Sequence, residues 1–343
     1  MIKRAPRSCA PIAATLLIPF LLAWLPARAA EKPEVVVYTS VDQVFSEPIF
    51  RAFEARWGGT VRAVFDTEET KSTGVLNRLV AESRNPQADV FWSGDPVRPF
   101  VLIRRGLVDK YVSPVATSIP ASFKATDGSW TGFAGRARVL LVNSRIVKPG
   151  EMPRSVRDLA KPLWKGKTAI ANPLFGTTTM HVAALFAAWG DETSKKFFED
   201  LKTNEVRIAS SNGEVKRLVA SGEVAFGLAD TDDAHEAFAE HAPIEVVYPD
   251  QDGIGSLVMP TAAVLVRGGP HPNEARKLID YLVSSEVEAK LAQSAAHLPL
   301  RPEVKAPIGA PSLGGLKTMS VDYGRVAETM QELQPWLRQW VGF

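Results

Sequence analysis

Cysteine is nearly absent from this sequence: the only one among 343 residues is Cys9, which precedes a long apolar run near the N-terminus. The chain after that run therefore contains no disulfide bond, no cysteine-ligated metal site and no cysteine nucleophile. A chain that folds without disulfides outside the cytoplasm must be held together by a hydrophobic core of ordinary domain size.

Histidine is also scarce, with five residues in the whole chain. No two of them have the H-x-x-x-H or H-E-x-x-H spacing of a helical zinc site, so the sequence does not support a zinc hydrolase. We therefore expect no metal site built on histidine or cysteine.

Long apolar runs are missing after the N-terminal stretch, and no later run approaches the roughly 20 apolar residues that a membrane-spanning helix needs. The N-terminal stretch begins with three basic residues, continues with an apolar run over 12–25 and ends in the small-x-small sequence of residues 27–29. This order is typical of a secretory signal peptide, which we assign to residues 1–29. We expect the mature protein to be exported and soluble.

An excess of positive charge is missing from the mature chain. The formal net charge is +2, but residues 1–29 contain four basic and no acidic residues, so the remainder carries about −2. No basic stripe remains after the signal peptide, which argues against nucleic acid as a partner.

Alternating strand and helix patterns begin directly after the signal peptide. Residues 34–95 follow a β-α-β-α-β order, which predicts an α/β fold with a doubly wound parallel sheet. In such sheets ligands bind at the carboxyl ends of the strands. The polar residues at those ends are therefore candidate ligand contacts, namely Thr39, Ser40, Glu68, Ser93 and Gly94.

Two longer strand-like runs, near 132–145 and 256–269, predict that the chain crosses from one lobe to a second and back. The first lobe is then discontinuous. We expect lobe 1 to comprise residues 30–132 and 261–310, lobe 2 to comprise 133–260, and a C-terminal helical segment to cover 311–343.

Candidate anion contacts occur in two places. Gly176, Thr177 and Thr178 begin a predicted helix, whose free N–H groups and hydroxyls favour negative charge; the alternative is that a threonine simply caps the helix. Arg136 and Arg138 share one face of a strand, where they either clamp an anion or pair with acids such as Asp95 and hold the lobes together.

The sequence DTDD crowds Asp230, Asp232 and Asp233 behind an apolar strand, where carboxylates repel one another unless something positive faces them. The partner is a hard metal ion, a ligand ammonium group, or only solvent with one aspartate capping the next helix. A phosphatase nucleophile loop of the D-x-D-x-[T/V] type fits less well, because Ala234 occupies its fifth position.

The order of several segments resembles the extracellular solute-binding proteins of ABC importers, in their ferric-iron-binding-like branch. The segments are VVVYTS, ADVFWSGD, ANPLFGTT, ASGEVAFGLAD, MPTAAVLVRGGPHPNEARKLIDYLVS and HLPLRPEV. The resemblance implies a type II periplasmic binding fold, with two α/β lobes joined by two crossing strands, and delivery of a ligand to a membrane permease without covalent chemistry.

One departure from this branch concerns the ligand. Its ferric-binding members usually carry two adjacent tyrosines, which fall near Asp232 and Asp233 here, and this chain has no adjacent tyrosines. The branch also includes proteins that bind organic ligands such as aminophosphonates.

We therefore expect the periplasmic substrate-binding component of an ABC importer, a monomer without enzymatic activity or cofactor, whose interlobe cleft captures an aminophosphonate-like zwitterion. Ferric iron or another hard metal is the alternative ligand, and an exported aspartate-dependent phosphatase is a more distant alternative. The expected ligand contacts are Thr39, Ser40, Glu68, Ser93, Gly94, Arg136, Gly176, Thr177, Thr178, Asp230, Asp232 and Asp233.

Overall fold

A computed structural model describes residues 1–2, 32–66, 74–307 and 309–342. Most of the predicted signal peptide and the predicted ligand contact Glu68 lie outside the described residues. Contacts divide the chain into two compact units, Met1–Lys32 and Pro33–Phe343. Within the described part of the chain, no helix has the length and apolar character needed to cross a membrane.

The strands of the second unit alternate with helices along most of the chain, as the sequence predicts. The described strands are β1 (Glu34–Thr39), β2 (Thr60–Phe65), β3 (Val90–Ser93), β4 (Val108–Asp109), β5 (Thr131–Asn143), β6 (Thr168–Ala171), β7 (Arg207–Ala209), β8 (Phe226–Asp230), β9 (Ile244–Val247) and β10 (Val258–Val266).

The helices that flank these strands follow apolar residues at helical spacing. They are α1 (Gln43–Trp57), α2 (Gly74–Ala81), α3 (Arg98–Arg104), α4 (Gly176–Trp189), α5 (Asp191–Thr203), α6 (Asn212–Ser221), α7 (Thr231–Ala239), α8 (Pro272–Leu282), α9 (Ser285–Ser294), α10 (Tyr323–Glu332) and α11 (Gln334–Val341).

The sheet has two parallel ends joined by an antiparallel middle. Among the described residues the strand order is β2-β1-β3-β10-β5-β8-β6-β7, with β4 beside β10 and β9 beside β5. Strands β1, β2 and β3 are mutually parallel and form the first lobe, while β6, β7 and β8 are parallel and form the second. The antiparallel strands β5 and β10 cross between the lobes, so the predicted two-lobed α/β architecture is confirmed.

Polar strand ends in the first lobe meet at one edge, as the parallel arrangement requires. The register aligns Thr39 with Phe65 on one side and with Trp92 on the other. The Gly94 N–H donates to Ser40 Oγ at 2.9 Å, which joins the loops that follow β1 and β3. This edge faces the crossing strands and the end of β8.

The crossing strands β5 and β10 are both irregular at one point in their pairing. The β5–β10 register shifts between Pro260 and Thr261, and Ala134 has φ of 43°, in the left-handed region that L residues avoid. The Ala134 N–H donates to Glu288 Oε1 at 2.8 Å, and the Thr261 hydroxyl donates to the Phe133 carbonyl at 2.8 Å. Groups from α9 and β10 therefore hold a kink in β5.

The C-terminal helices pack on the second lobe through aromatic rings. The Phe198 ring of α5 makes edge contacts with Trp336 at 5.6 Å and with Trp340 at 5.2 Å between centroids. The Trp340 indole N–H also donates to the Phe198 carbonyl at 3.0 Å. The free energy of this contact comes mainly from burying large apolar rings, with a smaller contribution from their edge-to-face geometry.

Replacing Phe198 by alanine should lower the free energy of unfolding by about 3–5 kcal/mol, because the ring is fully buried and its removal creates a cavity. Phe238→Ala, at a phenylalanine that is 47% exposed, is the matched control and should change it by less than about 0.5 kcal/mol. Urea denaturation of both variants checks the difference, and equal losses would contradict the assignment of α11 to the core.

Candidate functional site

Arg136 lies on β5, at the point where this strand passes from the first lobe to the second. Gly135 exchanges two backbone hydrogen bonds, of 2.7 and 2.6 Å, with Leu298. Arg138 pairs with Asp230 at the end of β8. Both partners lie on the same edge of β5, because β10 occupies the other. The side chain of Arg136 therefore emerges between the lobes.

The guanidinium group of Arg136 contacts both lobes. Its Nη2 donates to the Gly94 carbonyl of the first lobe at 3.2 Å, and its Nη1 donates to Asp232 Oδ2 of the second lobe at 3.1 Å. Burial acts to lower the pKa of Arg136, but the carboxylates of Asp232 and Asp230 outweigh it and raise the pKa above its ordinary value. The side chain keeps 22% of its surface exposed, so a solute can reach it.

Arg138, which shares the face of Arg136 as predicted, is fully buried. Its Nη1 donates to Asp230 Oδ1 at 2.6 Å and to Thr177 Oγ1 at 3.0 Å. Asp230 Oδ2 in turn accepts hydrogen bonds from Thr177 Oγ1 at 2.8 Å and from Asn212 Nδ2 at 3.2 Å. The cation that faces Asp230 is thus supplied by the protein itself.

Asp230 and Asp233 also cap the helix that follows them. Each side chain accepts a backbone N–H from the other residue, which forms a reciprocal capping box at the start of α7. The expectation that one aspartate caps this helix is confirmed. Burial, followed by the negative charges of Asp232 and Asp230, raises the pKa of Asp233 well above its ordinary value.

Asp232 is a partly exposed member of the aspartate cluster. Its side chain is 34% exposed, and Oδ2 pairs with Arg136. Its other oxygen, Oδ1, is buried and has no hydrogen-bond partner among the described residues. Carboxylate oxygens of Asp230, Asp232 and Asp233 lie within 4.8 Å of one another, a spacing that suits a hard cation.

The start of α4 is close to the same cluster. The helix begins at Gly176, whose φ is +60°, and is preceded by Phe175, which contributes no side-chain cap. A threonine cap is therefore not the role of Thr177 or Thr178. Thr177 donates to Asp230, as described, and Thr178 Oγ1 accepts from Arg138 Nη2 at 3.4 Å.

On the first lobe, the predicted contacts differ in accessibility. Thr39 and Ser93 are fully buried. The Thr39 hydroxyl donates to the Trp92 carbonyl at 2.9 Å, and Ser93 Oγ accepts from the Asp95 N–H at 3.4 Å, so both stabilise the loops. A Cβ on Gly94 would lie 3.2 Å from the Ser40 carbonyl, so the absence of a side chain permits the close approach of these loops.

The alternative that the two arginines pair with acids is confirmed, but Asp95 is not one of those acids. Asp95 pairs with Arg98, three residues along the chain, and its Oδ1 accepts the Val97 N–H at 2.9 Å at the start of α3. The acids that hold Arg136 and Arg138 are the aspartates after β8 instead.

Two polar residues of this region were not among the predicted contacts. Asn212, the first residue of α6, donates to both Asp230 and Thr177; it follows β7 as the other candidates follow their strands, so the same rule would have found it. His297 is buried, and none of the residues that the structure describes is a hydrogen-bond partner of its Nδ1. No local pattern marks it, because long-range pairing with β5 positions its segment.

Comparisons with known proteins agree with this architecture. A family model described as "Bacterial extracellular solute-binding protein" matches residues 85–318. "Iron uptake protein A1" of Synechocystis sp. is 30% identical over 306 residues, which cover 85% of this chain and 83% of the relative. The "Putative 2-aminoethylphosphonate-binding periplasmic protein" of Salmonella typhi is 25% identical over 299 residues, which cover 84% of this chain and 85% of the relative.

Among solved structures, iron-bound HitA from Pseudomonas aeruginosa is similar to this chain with a TM-score of 0.78 at 21% identity. The match covers 89% of this chain and 99% of that one. The likeness confirms the predicted type II periplasmic binding fold.

Asp230→Asn should lower the free energy of unfolding by about 3–5 kcal/mol, because it leaves the buried Arg138 without its counter-ion. Asp232→Asn is the matched control in the same cluster; its partly exposed pair with Arg136 should contribute only about 0–1 kcal/mol. Thermal and urea unfolding of the two variants check this order, and an equal or reversed order would contradict it.

His297 should make the protein less stable in acid. Burial, and then the charge of Arg136, lower the pKa of His297 to about 3, although Asp42 acts to raise it. In the unfolded chain the imidazole takes up a proton near pH 6.5. The contribution of His297 to the free energy of unfolding is therefore fully present above that pH, and it is lost as the pH falls toward 3, at up to about 1.4 kcal/mol per pH unit.

The measurement is the free energy of unfolding of the protein and of His297→Gln between pH 4 and 7. The stability of the unaltered protein relative to that of His297→Gln should fall as the pH falls. Parallel pH curves would contradict the prediction.

Proposed function

Because the chain belongs to the bacterial extracellular solute-binding protein family, we propose that it captures a small zwitterion of the aminophosphonate class between its lobes and delivers it to an ABC permease. The solute-binding role in an ABC importer is that of the family. The ligand class, the periplasmic location and the lobe boundaries given above are parts of the proposal, as are the predicted contact residues.

The observation that carries the ligand proposal is the accessible ion pair between Arg136 and Asp232. Arg138 and Asp230 neutralise each other in full burial, and Asp233 Oδ2 accepts the Asp230 N–H at the start of α7. In the described part of the site, Arg136 and Asp232 form a partly exposed pair of opposite charges, 3.1 Å apart. A molecule with one charge of each sign matches this pair.

Such a ligand can exchange partners with the protein. Its phosphonate pairs with the guanidinium of Arg136, and its ammonium pairs with the carboxylate of Asp232. The number of ion pairs therefore rises from one to two. The resident pair is partly exposed and contributes only about 0–1 kcal/mol, so separating it costs little. An anion without an amine would leave Asp232 unpaired, and a cation without an acid would leave Arg136 unpaired.

The surroundings of the pair support a phosphonate at the Arg136 end. Gly176 begins α4 without a side-chain cap, and uncapped N–H groups at a helix start favour negative charge. Gly94 lies beside Arg136 from the other lobe. A ligand that contacts both lobes stabilises their closed arrangement over the open one.

Ferric iron or another hard metal is the second candidate. The carboxylate oxygens of Asp230, Asp232 and Asp233 are close enough to share an ion, and one relative is named for iron uptake. The two arginines weigh against a trivalent cation, because they already occupy Asp230 and Asp232 and would repel the ion.

Asp232→Asn should weaken binding of 2-aminoethylphosphonate about tenfold or more, because it removes the charge that faces the ammonium group. Binding of ethylphosphonate, which has no amine, should change less than about threefold. Arg136→Gln should weaken both ligands, since both use the phosphonate. Isothermal titration calorimetry measures the affinity of the unaltered protein and of both variants for each of the two ligands.

Arg56→Gln is the matched control. It removes an arginine from a surface ion pair with Glu286 at the far end of α1, and it should alter neither affinity. Equal losses for both ligands in Asp232→Asn would contradict the exchange. A coloured stoichiometric complex with ferric citrate would favour the metal, and magnesium-dependent release of phosphate from a phosphomonoester would favour the phosphatase.

A further inference from the structure

His297 lies near Arg136 at the edge of β5. Gly135 and Leu298 form an isolated antiparallel bridge with two backbone hydrogen bonds. Arg136 follows Gly135 and His297 precedes Leu298, so this bridge brings the two residues to the same place along the edge of β5. Asp232 contacts Arg136 from the second lobe.

The electrostatic surroundings of His297 agree with that position. The charges that act on its imidazole are Arg136 and Asp42, the residue that precedes α1 at the polar edge of the first lobe. The imidazole thus lies between the polar strand ends of the first lobe and the accessible ion pair.

The imidazole has hydrogen-bonding capacity that the protein does not use. His297 is 6% exposed, and its Nδ1 is buried without a hydrogen-bond partner in the described ranges 32–66, 74–307 and 309–342. A buried polar atom without a partner costs free energy, and such atoms in folded proteins call for an explanation. A ligand atom held by Arg136 would supply the missing partner.

We infer that His297 binds the ligand, as an uncharged hydrogen-bonding group beside Arg136 at the phosphonate end of the site. This inference rests on the proposed function, which it extends to a residue outside the aspartate and threonine segments. A neutral imidazole offers one donor and one acceptor, according to its tautomer. It therefore adds a hydrogen bond to the phosphonate without adding a second positive charge next to Arg136.

The inference predicts different results for three substitutions. His297→Phe fills the same space without a polar atom and should weaken 2-aminoethylphosphonate binding about tenfold. His297→Gln retains a donor and an acceptor and should recover most of that loss. His271→Gln should leave the affinity unchanged. His271 is bonded to Asp89 beside α8, and it follows the end of β10 that is remote from the site.

The imidazole itself supplies a direct measurement on the unaltered protein. Its ¹⁵N resonances, identified by their disappearance in His297→Gln, should shift when a ligand engages the ring. The probes are 2-aminoethylphosphonate, ethylphosphonate, inorganic phosphate and ferric citrate, each added to the full mature chain.

The outcomes separate this inference from the proposed function. If 2-aminoethylphosphonate binds but neither shifts the His297 resonances nor loses affinity in His297→Phe, the role of His297 is refuted and the proposed function stands. If only another probe binds and shifts the resonances, His297 is a ligand contact and the aminophosphonate proposal fails. If no probe shifts the resonances, the inference is refuted as well.

Discussion

The buried ion pair between Arg138 and Asp230 holds the interlobe region together. It joins the crossing strand β5 to the end of β8, and through Thr177 and Asn212 it fixes the first turns of α4 and α6. Neither charge is exposed to water, so each depends on the other for its stability inside the protein. The positions of Arg136 and Asp232 follow from this pair, because Arg136 is two residues before Arg138 and Asp232 is two residues after Asp230.

The aspartate cluster has two functions that its sequence alone does not distinguish. Asp230 and Asp233 are structural: one neutralises Arg138, and both cap α7. Asp232 keeps a partly exposed surface, and one of its oxygens has no hydrogen-bond partner among the residues described. Three like-charged residues within four positions are thus tolerated because a buried arginine, a helix start and a partly exposed arginine each neutralise or bind one of them.

Local patterns predicted the strands, the helices and the shared face of Arg136 and Arg138, because those features depend on residues close together in the chain. The partners of the arginines depend instead on how β5 pairs with β8, which are some 90 residues apart (Arg138 and Asp230 are separated by 92). A single sequence does not specify such a register, so it does not distinguish Asp95 from the true partners of the two arginines. His297 was missed for the same reason, since a single long-range bridge to Gly135 brings it to the site.

The left-handed conformation of Ala134 affects how the lobes can move. An L residue in that region is disfavoured by about 1–2 kcal/mol, and here Glu288 holds its N–H. Straightening β5 at this residue would break that hydrogen bond. The strand is therefore better suited to rotate about the kink, as a swivel, than to extend. A swivel changes the angle between the sheets but keeps β5 the same length, so Arg136, two residues further on, remains near the pivot. Arg136 and Arg138 would then move little, while residues far from the kink would move more.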